Sequence, residues 1–114
     1  MKSEVNYLES FDRLDIRVGT IVEAIPFEAA IKPAYQIKVD FGDGVGMKWS
    51  SAQITHHYQP SDLIQRKVIA IINFPPKRIA GFRSEILILG AYDASGHVVL
   101  LDVDSGIQNG AIIG

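Results

Sequence analysis

The chain has 114 residues, of which 47% are hydrophobic and 21% charged, and its formal net charge is −2. These values fit one globular domain that buries roughly two-thirds of its unfolded surface, and they exclude a disordered or fibrous protein. The absence of cysteine excludes disulfides and thiolate zinc sites, and the lack of a long apolar run or a signal-peptide core predicts a cytoplasmic protein without membrane insertion.

Two elements are predicted near the N-terminus. Val5, Leu8 and Phe11 recur at roughly helical spacing after Ser3, a candidate N-cap, and predict a short helix at about residues 3–11. The following run IRVGTIVEAI, residues 16–25, is rich in β-branched residues and predicts a strand. Gly19 within that run suggests a bulge or a bend.

The middle of the chain predicts a hairpin. Apolar residues alternate with polar ones from residue 35 to residue 41, which is typical of a half-buried strand. Three glycines at alternate positions, 42, 44 and 46, then permit a turn into a second strand at 47–49. The polar run SSAQITHHY, residues 50–58, predicts a short helical turn.

Three short apolar runs follow: VIAII (68–72), ILIL (86–89) and VVLL (98–101). Each is too short for an ordinary helix and apolar on both faces, so we expect strands closed into a barrel. Because strands do not alternate with helices, an antiparallel Greek-key barrel is favoured, with a five-stranded oligonucleotide/oligosaccharide-binding (OB) barrel as the leading candidate. The prediction is therefore an all-β single domain over residues 1–114, with an N-terminal helix at about 3–11, a barrel at about 14–91 and a C-terminal extension at about 92–114.

No constellation of residues predicts catalysis. Adjacent His56 and His57 would point about 100° apart on a helix and to opposite faces on a strand, which makes a poor metal clamp. No serine lies in a GxSxG elbow, and Asp102 and Asp104 fall beside a turn where carboxylates are usually solvated. We expect a protein that is not an enzyme and has no cofactor or metal.

The segment NFPPKRIAGFRSEILILG, residues 73–90, has a different composition from the rest of the chain. From residue 66 to residue 83 there are five basic residues and no acidic one, whereas the remaining residues include six basic and thirteen acidic side chains. Phe74 and Phe82 flank the basic residues, and aromatic rings interleaved with cations suit unstacked nucleic acid. Taken alone, the charge pattern is also that of a solvated turn, and both rings could be core anchors.

Four blocks, in order, resemble the CsaA-like secretion chaperones of the tRNA-binding-domain family. They are FDRLDIRVGTIVEA, KPAYQIKVDFG, SSAQIT and NFPPKRIAGFRSEILILGA, and the similarity extends to the closing NGAIIG. The resemblance implies an OB-fold barrel and a homodimer formed through elements at both chain ends. It also implies two kinds of partner: tRNA or tRNA-like RNA, and unfolded or preprotein polypeptides bound as in an export chaperone. The alternative is a polypeptide-binding chaperone with no physiological RNA ligand.

The resemblance also suggests site residues. Lys77, Arg78, Gly81 and Ser84 resemble the residues of the basic-x-basic-glycine-x-x-serine pattern in the family's RNA-binding loop, although Glu85 and Ile86 replace the usual glycine-methionine that follows. The RNA-binding set that we predict is Lys77, Arg78, Arg83 and Ser84, extended by Lys32 and Lys48. The peptide-binding candidates are Phe11, Trp49, Phe74 and Ile79.

Overall fold

A computed structural model describes all residues from 1 to 114 and contains nine strands and one short helix. In chain order these are β1 (Ile16–Pro26), β2 (Tyr35–Asp40), β3 (Met47–Ala52), α1 (Pro60–Leu63), β4 (Lys67–Ile71), β5 (Lys77–Ile79), β6 (Phe82–Ser84), β7 (Leu87–Ile88), β8 (Gly90–Tyr92) and β9 (Val98–Leu100). Five strands form one antiparallel sheet in the order β3-β2-β1-β4-β7, while β5–β6 and β8–β9 form separate two-stranded ribbons. None of its helices has the length and apolar character needed to cross a bilayer.

The five-stranded sheet curls until its two edges meet. The Glu85 N–H donates to the Trp49 carbonyl at 2.8 Å, and the Trp49 N–H donates to Glu85 Oε1 at 3.1 Å. The buried Ser50 hydroxyl donates to the Ile86 carbonyl at 3.2 Å. These contacts bridge β3 and the residues just before β7, so the sheet is an almost closed barrel. The predicted all-β OB-type fold is confirmed.

The barrel interior is filled by the buried face of each strand. β2 alternates strictly between buried and half-buried residues, with Ile37 and Val39 fully inside, as its sequence pattern predicts. Helix α1 packs against β1 and adds the fully buried Leu63 to the main core cluster. Full burial of such side chains stabilises the fold by about 1.5–3 kcal/mol each.

The bulge in β1 lies between Ile21 and Glu23 and not at Gly19. Gly19 stays in register with Val68 of β4, so the prediction of a bulge or bend at this glycine was wrong. A Cβ atom at position 19 would lie 2.5 Å from Cγ1 of Val39. The glycine is therefore required by close packing inside the barrel.

The helix predicted at residues 3–11 is absent, and hydrogen-bonded turns occupy residues 7–13. The Asn6 side chain, rather than Ser3, accepts from the N–H groups of Leu8 and Glu9 at 2.9 and 3.2 Å. The Asp12 N–H then reaches the Tyr7 carbonyl, five residues back, so the chain leaves the helical path after one turn. Within the segment 50–58, for which the sequence predicts a short helical turn, residues 50–52 instead extend β3, a turn occupies residues 55–57, and α1 begins at Pro60.

The C-terminal segment pairs with the part of β1 that β2 leaves uncovered. The Gly110 N–H donates to the Val18 carbonyl at 2.7 Å, and the Val18 N–H donates to the Ala111 carbonyl at 3.0 Å. On the outside of the barrel, Ile16, Ile69 and Ile71 form a second apolar cluster, which side chains from both chain ends cover: Phe11, Leu14, Leu89, Val103 and Ile113. Both ends of the chain are thus packed on the same side of the barrel.

Candidate nucleic-acid interface

The basic segment forms a β-ribbon outside the barrel, which we call the basic ribbon (β5, β6 and the turn between them). Ala80 and Gly81 connect the strands with φ values of 47° and 81°, the pair of positive angles that a type I′ hairpin turn requires. Glycine adopts this conformation without a steric penalty, whereas an alanine there costs about 1–2 kcal/mol. The segment is thus a hairpin of two three-residue strands and not only a loop.

The register of the basic ribbon separates its residues into two faces. Arg78 lies opposite Arg83, so their side chains share one face, and both are exposed. The other face carries the pairs Lys77 with Ser84 and Ile79 with Phe82. The structure thus brings Arg78 and Arg83 together and turns Lys77 and Ser84 away from them.

Two contacts fix the inner face of the ribbon against the barrel. The Phe82 ring packs edge-on against Phe27 and Trp49, with centroid distances of 5.3 and 6.0 Å. Ser84 Oγ accepts a hydrogen bond from the Ser51 N–H at 3.0 Å. Phe82 is therefore an anchor rather than a free stacking surface, and the Ser84 oxygen already has a structural role.

Glu85 lies beside the arginine face, but nearby cations balance its charge. Its Oε2 lies 3.6 Å from Arg83 Nη1 and 4.0 Å from Lys48 Nζ, while Oε1 accepts from the Trp49 N–H. The carboxylate side chain is only 20% exposed, whereas that of Arg83 is 58% exposed. The acidic residue thus helps to close the barrel and leaves the arginine open to solvent.

Two further lysines lie on other elements, one in a loop and one on β2. Lys32 is exposed in the loop between β1 and β2, the same loop whose Phe27 contacts the ribbon. Lys38, which we did not predict, lies with its Nζ 5.8 Å from the Trp49 ring centroid and 3.3 Å from Glu23 Oε2. Its polar position in the alternating pattern of β2 was the signal that could have identified it.

An apolar groove of about 680 Å³ opens on the inner side of the ribbon. Two of the four peptide-binding candidates, Phe74 and Ile79, line it together with Leu87 and Tyr92, and Lys77 is also part of its wall. This volume is in the usual range for ligand pockets. We therefore name this feature the ribbon groove; Leu87 and Tyr92 were missed because nothing in their local pattern distinguishes them from core residues.

The other two peptide-binding candidates lie elsewhere. Phe11 packs on the outer apolar cluster and stacks on Tyr7 at 5.8 Å. Trp49 pairs with Lys38 across β2 and β3, on the outer face of the barrel. The four candidates therefore do not form one site.

The three histidines come together around Asp93, at the turn between β8 and β9. His56 and His97 stack at 3.7 Å, and His57 Nε2 lies 2.6 Å from Asp93 Oδ2. The N–H of His97 and the His57 side chain bond the carboxylate and lower the pKa of Asp93 from 3.8 to about 2. No group of three or more acidic or histidine side chains has a geometry that would hold a metal ion.

The fold and this surface define a class of protein: an OB-type barrel with a two-faced basic ribbon beside its sheet. The family model described as "Putative tRNA binding domain" matches residues 16–112. The methionine–tRNA ligase of Methanocaldococcus jannaschii is 39% identical over 108 residues, which are 95% of this chain and 16% of that protein. The chain thus spans about a sixth of the ligase.

Two solved structures cover the whole fold. The CsaA chaperone protein of Picrophilus torridus is 50% identical, with a TM-score of 0.91 over 97% of this chain and 100% of that one. The CsaA chaperone of Bacillus anthracis is 47% identical, with the same TM-score over 98% and 100% of the two chains. The chain belongs to the tRNA-binding-domain family, and within it is similar to the CsaA chaperones.

Proposed function

We propose that the protein is a non-enzymatic RNA-binding protein that holds tRNA or tRNA-like RNA against the arginine face of the basic ribbon. The observation that carries this proposal is the position of Arg78 directly opposite Arg83. Like charges directly across two strands destabilise their pairing, and a bound anion removes that repulsion. Because the chain belongs to the tRNA-binding-domain family, we expect this anion to be RNA.

The chemistry of the two arginines suits phosphate groups. A guanidinium presents its N–H donors in a planar fork that matches phosphate oxygens. Within the protein, Arg78 makes one long side-chain hydrogen bond, from Nη1 to the Gly81 carbonyl at 3.3 Å, so most of its donors are free. Lys48 and Lys32 extend the positive surface on neighbouring elements.

Salt-dependent binding of a folded tRNA transcript tests the proposal. Arg78→Gln and Arg83→Gln should each weaken binding and lower the slope of log K against log salt by about 0.7–0.9, because each removes one phosphate contact. Arg13→Gln is the matched control, since it makes the same charge change in an exposed N-terminal turn. Equal effects of all three substitutions would mean that net charge, and not the ribbon, drives binding.

A second candidate function, binding of unfolded or preprotein polypeptides, rests on the ribbon groove. An open apolar groove framed by polar groups is a typical site for an extended peptide, and the two most similar structures reported above are named chaperones. Suppression of the aggregation of an unfolded client should be lost in Ile79→Ser and retained in Arg78→Gln. If neither variant changes suppression, the groove is not the client site.

Homodimer formation is also part of the proposal. On the terminal segments that cover the outer apolar cluster, several large apolar side chains stay exposed, among them Tyr7, Leu8 and Ile112 at 62%, 67% and 71%. A second copy would bury them. Sedimentation at micromolar concentration should give a species of twice 12.5 kDa, and a lone monomer would contradict the dimer. The cytoplasmic location stays a prediction.

A further inference from the structure

Lys77 and Arg78 are adjacent in the sequence but face different surroundings. Lys77 shares its face of the ribbon with Ile79 and lines the ribbon groove, whereas Arg78 lies on the opposite face and does not. The direction follows from the alternation of side chains along a strand. A ligand that covers the arginine face therefore leaves the groove open.

The Lys77 ammonium is the free cation of the ribbon groove. The charged residues that line the groove are Lys77 and Glu85, and the Glu85 carboxylate is already engaged by Arg83, Lys48 and the Trp49 N–H. Lys77 has no ion-pair partner within the chain. The groove thus combines an apolar lining with one uncompensated positive charge.

We propose that Lys77 determines the specificity of the ribbon groove: it pairs with a carboxylate of an extended polypeptide whose neighbouring apolar side chain packs on Phe74 and Ile79. This inference rests on the proposed polypeptide-binding role and assigns the preferred sequence of the bound segment. It also separates the two ligands, since RNA on Arg78 and a peptide beside Lys77 occupy opposite faces of one ribbon.

The chemistry of the groove favours a polypeptide over a stretch of RNA. Its lining is mostly aliphatic or aromatic, including Phe74, Leu87 and Tyr92, and a single lysine does not balance a run of phosphates. Several polar side chains of the lining are already engaged in closing the barrel: the Ser84 oxygen accepts from the Ser51 N–H, the Ser50 hydroxyl donates to the Ile86 carbonyl, and Glu85 accepts from the Trp49 N–H. One carboxylate beside one large apolar side chain matches both features.

The test compares neighbouring substitutions on two ligands. The peptide probe is a fluorescein-labelled peptide of about ten residues that contains Leu-Phe-Asp, together with a version that contains Leu-Phe-Asn; the RNA probe is a folded tRNA transcript. Lys77→Ala should weaken binding of the Asp peptide by about two- to fivefold, as expected for a solvent-exposed ion pair, and leave the Asn peptide and the tRNA unchanged. Arg78→Ala should weaken binding of the tRNA and leave the affinity for both peptides unchanged.

Three results would contradict either the role of Lys77 or the proposed RNA binding. If Lys77→Ala weakens tRNA binding as much as Arg78→Ala does, the two residues share one RNA surface and the inference is overturned. If Lys77→Ala affects both peptides equally, the ion pair is absent and the inference also fails. If Arg78→Ala leaves the tRNA unchanged, the proposed RNA function fails, while the peptide titration still tests Lys77.

Two further measurements complete the test. Saturating tRNA should leave the affinity for the Asp peptide within about twofold of its value without RNA, and mutual exclusion would contradict the separation of the two faces. Sedimentation of Phe74→Ser should give the same oligomeric state as the wild type. A loss of self-association in this variant would mean that a second copy of the chain, and not a client, covers the groove.

Discussion

Replacing Glu85 separates its structural role from its electrostatic one. Glu85→Gln keeps an oxygen that can accept from the Trp49 N–H but removes the charge facing Arg83 and Lys48. The two ion pairs are long, so their loss costs only about 0.2–1 kcal/mol each. Glu85→Ala also leaves the Trp49 amide without its acceptor, which costs about 1–3 kcal/mol more.

Both variants should also strengthen RNA binding, because each removes the negative charge beside Arg83. A phosphate on Arg83 would lie about 7 Å from the Glu85 carboxylate, and two unit charges at that distance in water repel by about 0.6 kcal/mol, or about threefold in affinity. Glu85→Gln should therefore bind tRNA about threefold more tightly at low salt and show little change at 0.15 M ionic strength, where the screening length is about 8 Å. Glu85→Ala removes the same negative charge, but it also removes the acceptor of the Trp49 N–H and so weakens the closure of the barrel.

Urea unfolding and tRNA titrations at two salt concentrations measure both effects. Equal unfolding midpoints for the Gln and Ala variants would refute the role of the carboxylate oxygen in closing the barrel. Unchanged tRNA affinity of Glu85→Gln at low salt would refute the position of the phosphate on the arginine face. Arg13→Gln serves as the charge control, since it removes one positive charge from an exposed side chain that is not part of the ribbon.

Three other substitutions test the packing of the barrel and its seams. Gly19→Ala should lower the free energy of unfolding by about 1–3 kcal/mol, because its new methyl group overlaps Val39; a stability equal to the wild type in urea would contradict this. Ser84→Ala should speed hydrogen exchange at the β3 amide that its hydroxyl now protects, and an unchanged rate would show that the bond is dispensable. For Asp93, whose pKa is lowered to about 2 mainly by the His97 N–H, the stability advantage over Asp93→Asn should be present above about pH 4 and disappear as the pH falls toward 2; a constant difference over that range would disprove the linkage.

The fold was largely predictable because its main signal is short-range. Alternation in β2 and the apolar run that became β4 reflect which residues are buried, and in these two strands burial agrees with side-chain type. The misassigned elements were decided by contacts that a single sequence does not display. The requirement for glycine at position 19 depends on Val39, twenty residues away. The N-terminal turn depends on the Asn6 side-chain oxygen, which accepts hydrogen bonds from the N–H groups of Leu8 and Glu9.

The site was less predictable than the fold. The resemblance identified the ribbon residues. It could not show that Phe74 and Ile79 line one groove while Phe11 packs on the outer apolar cluster, because these positions depend on the three-dimensional path of the chain. Residues from six strands, β3 and β5 to β9, meet at the groove. Their local sequences are ordinary apolar patterns, so no local signal marks Leu87 or Tyr92 as part of a binding surface.

The basic ribbon shows why residue type alone does not assign a ligand. In a segment interpreted as a loop, Lys77 and Arg78 form a single positive patch, and the natural inference is that both bind the same polyanion. Once the segment is a strand, adjacent side chains must point to opposite faces, and the turn at Gly81 places Arg83 rather than Lys77 beside Arg78. Arg78 then lies beside the solvent-exposed Arg83, whereas Lys77 lies beside the apolar residues that line the ribbon groove. Because an ion's preferred partner depends on the groups around it, the same basic pair can serve two ligands of different chemistry.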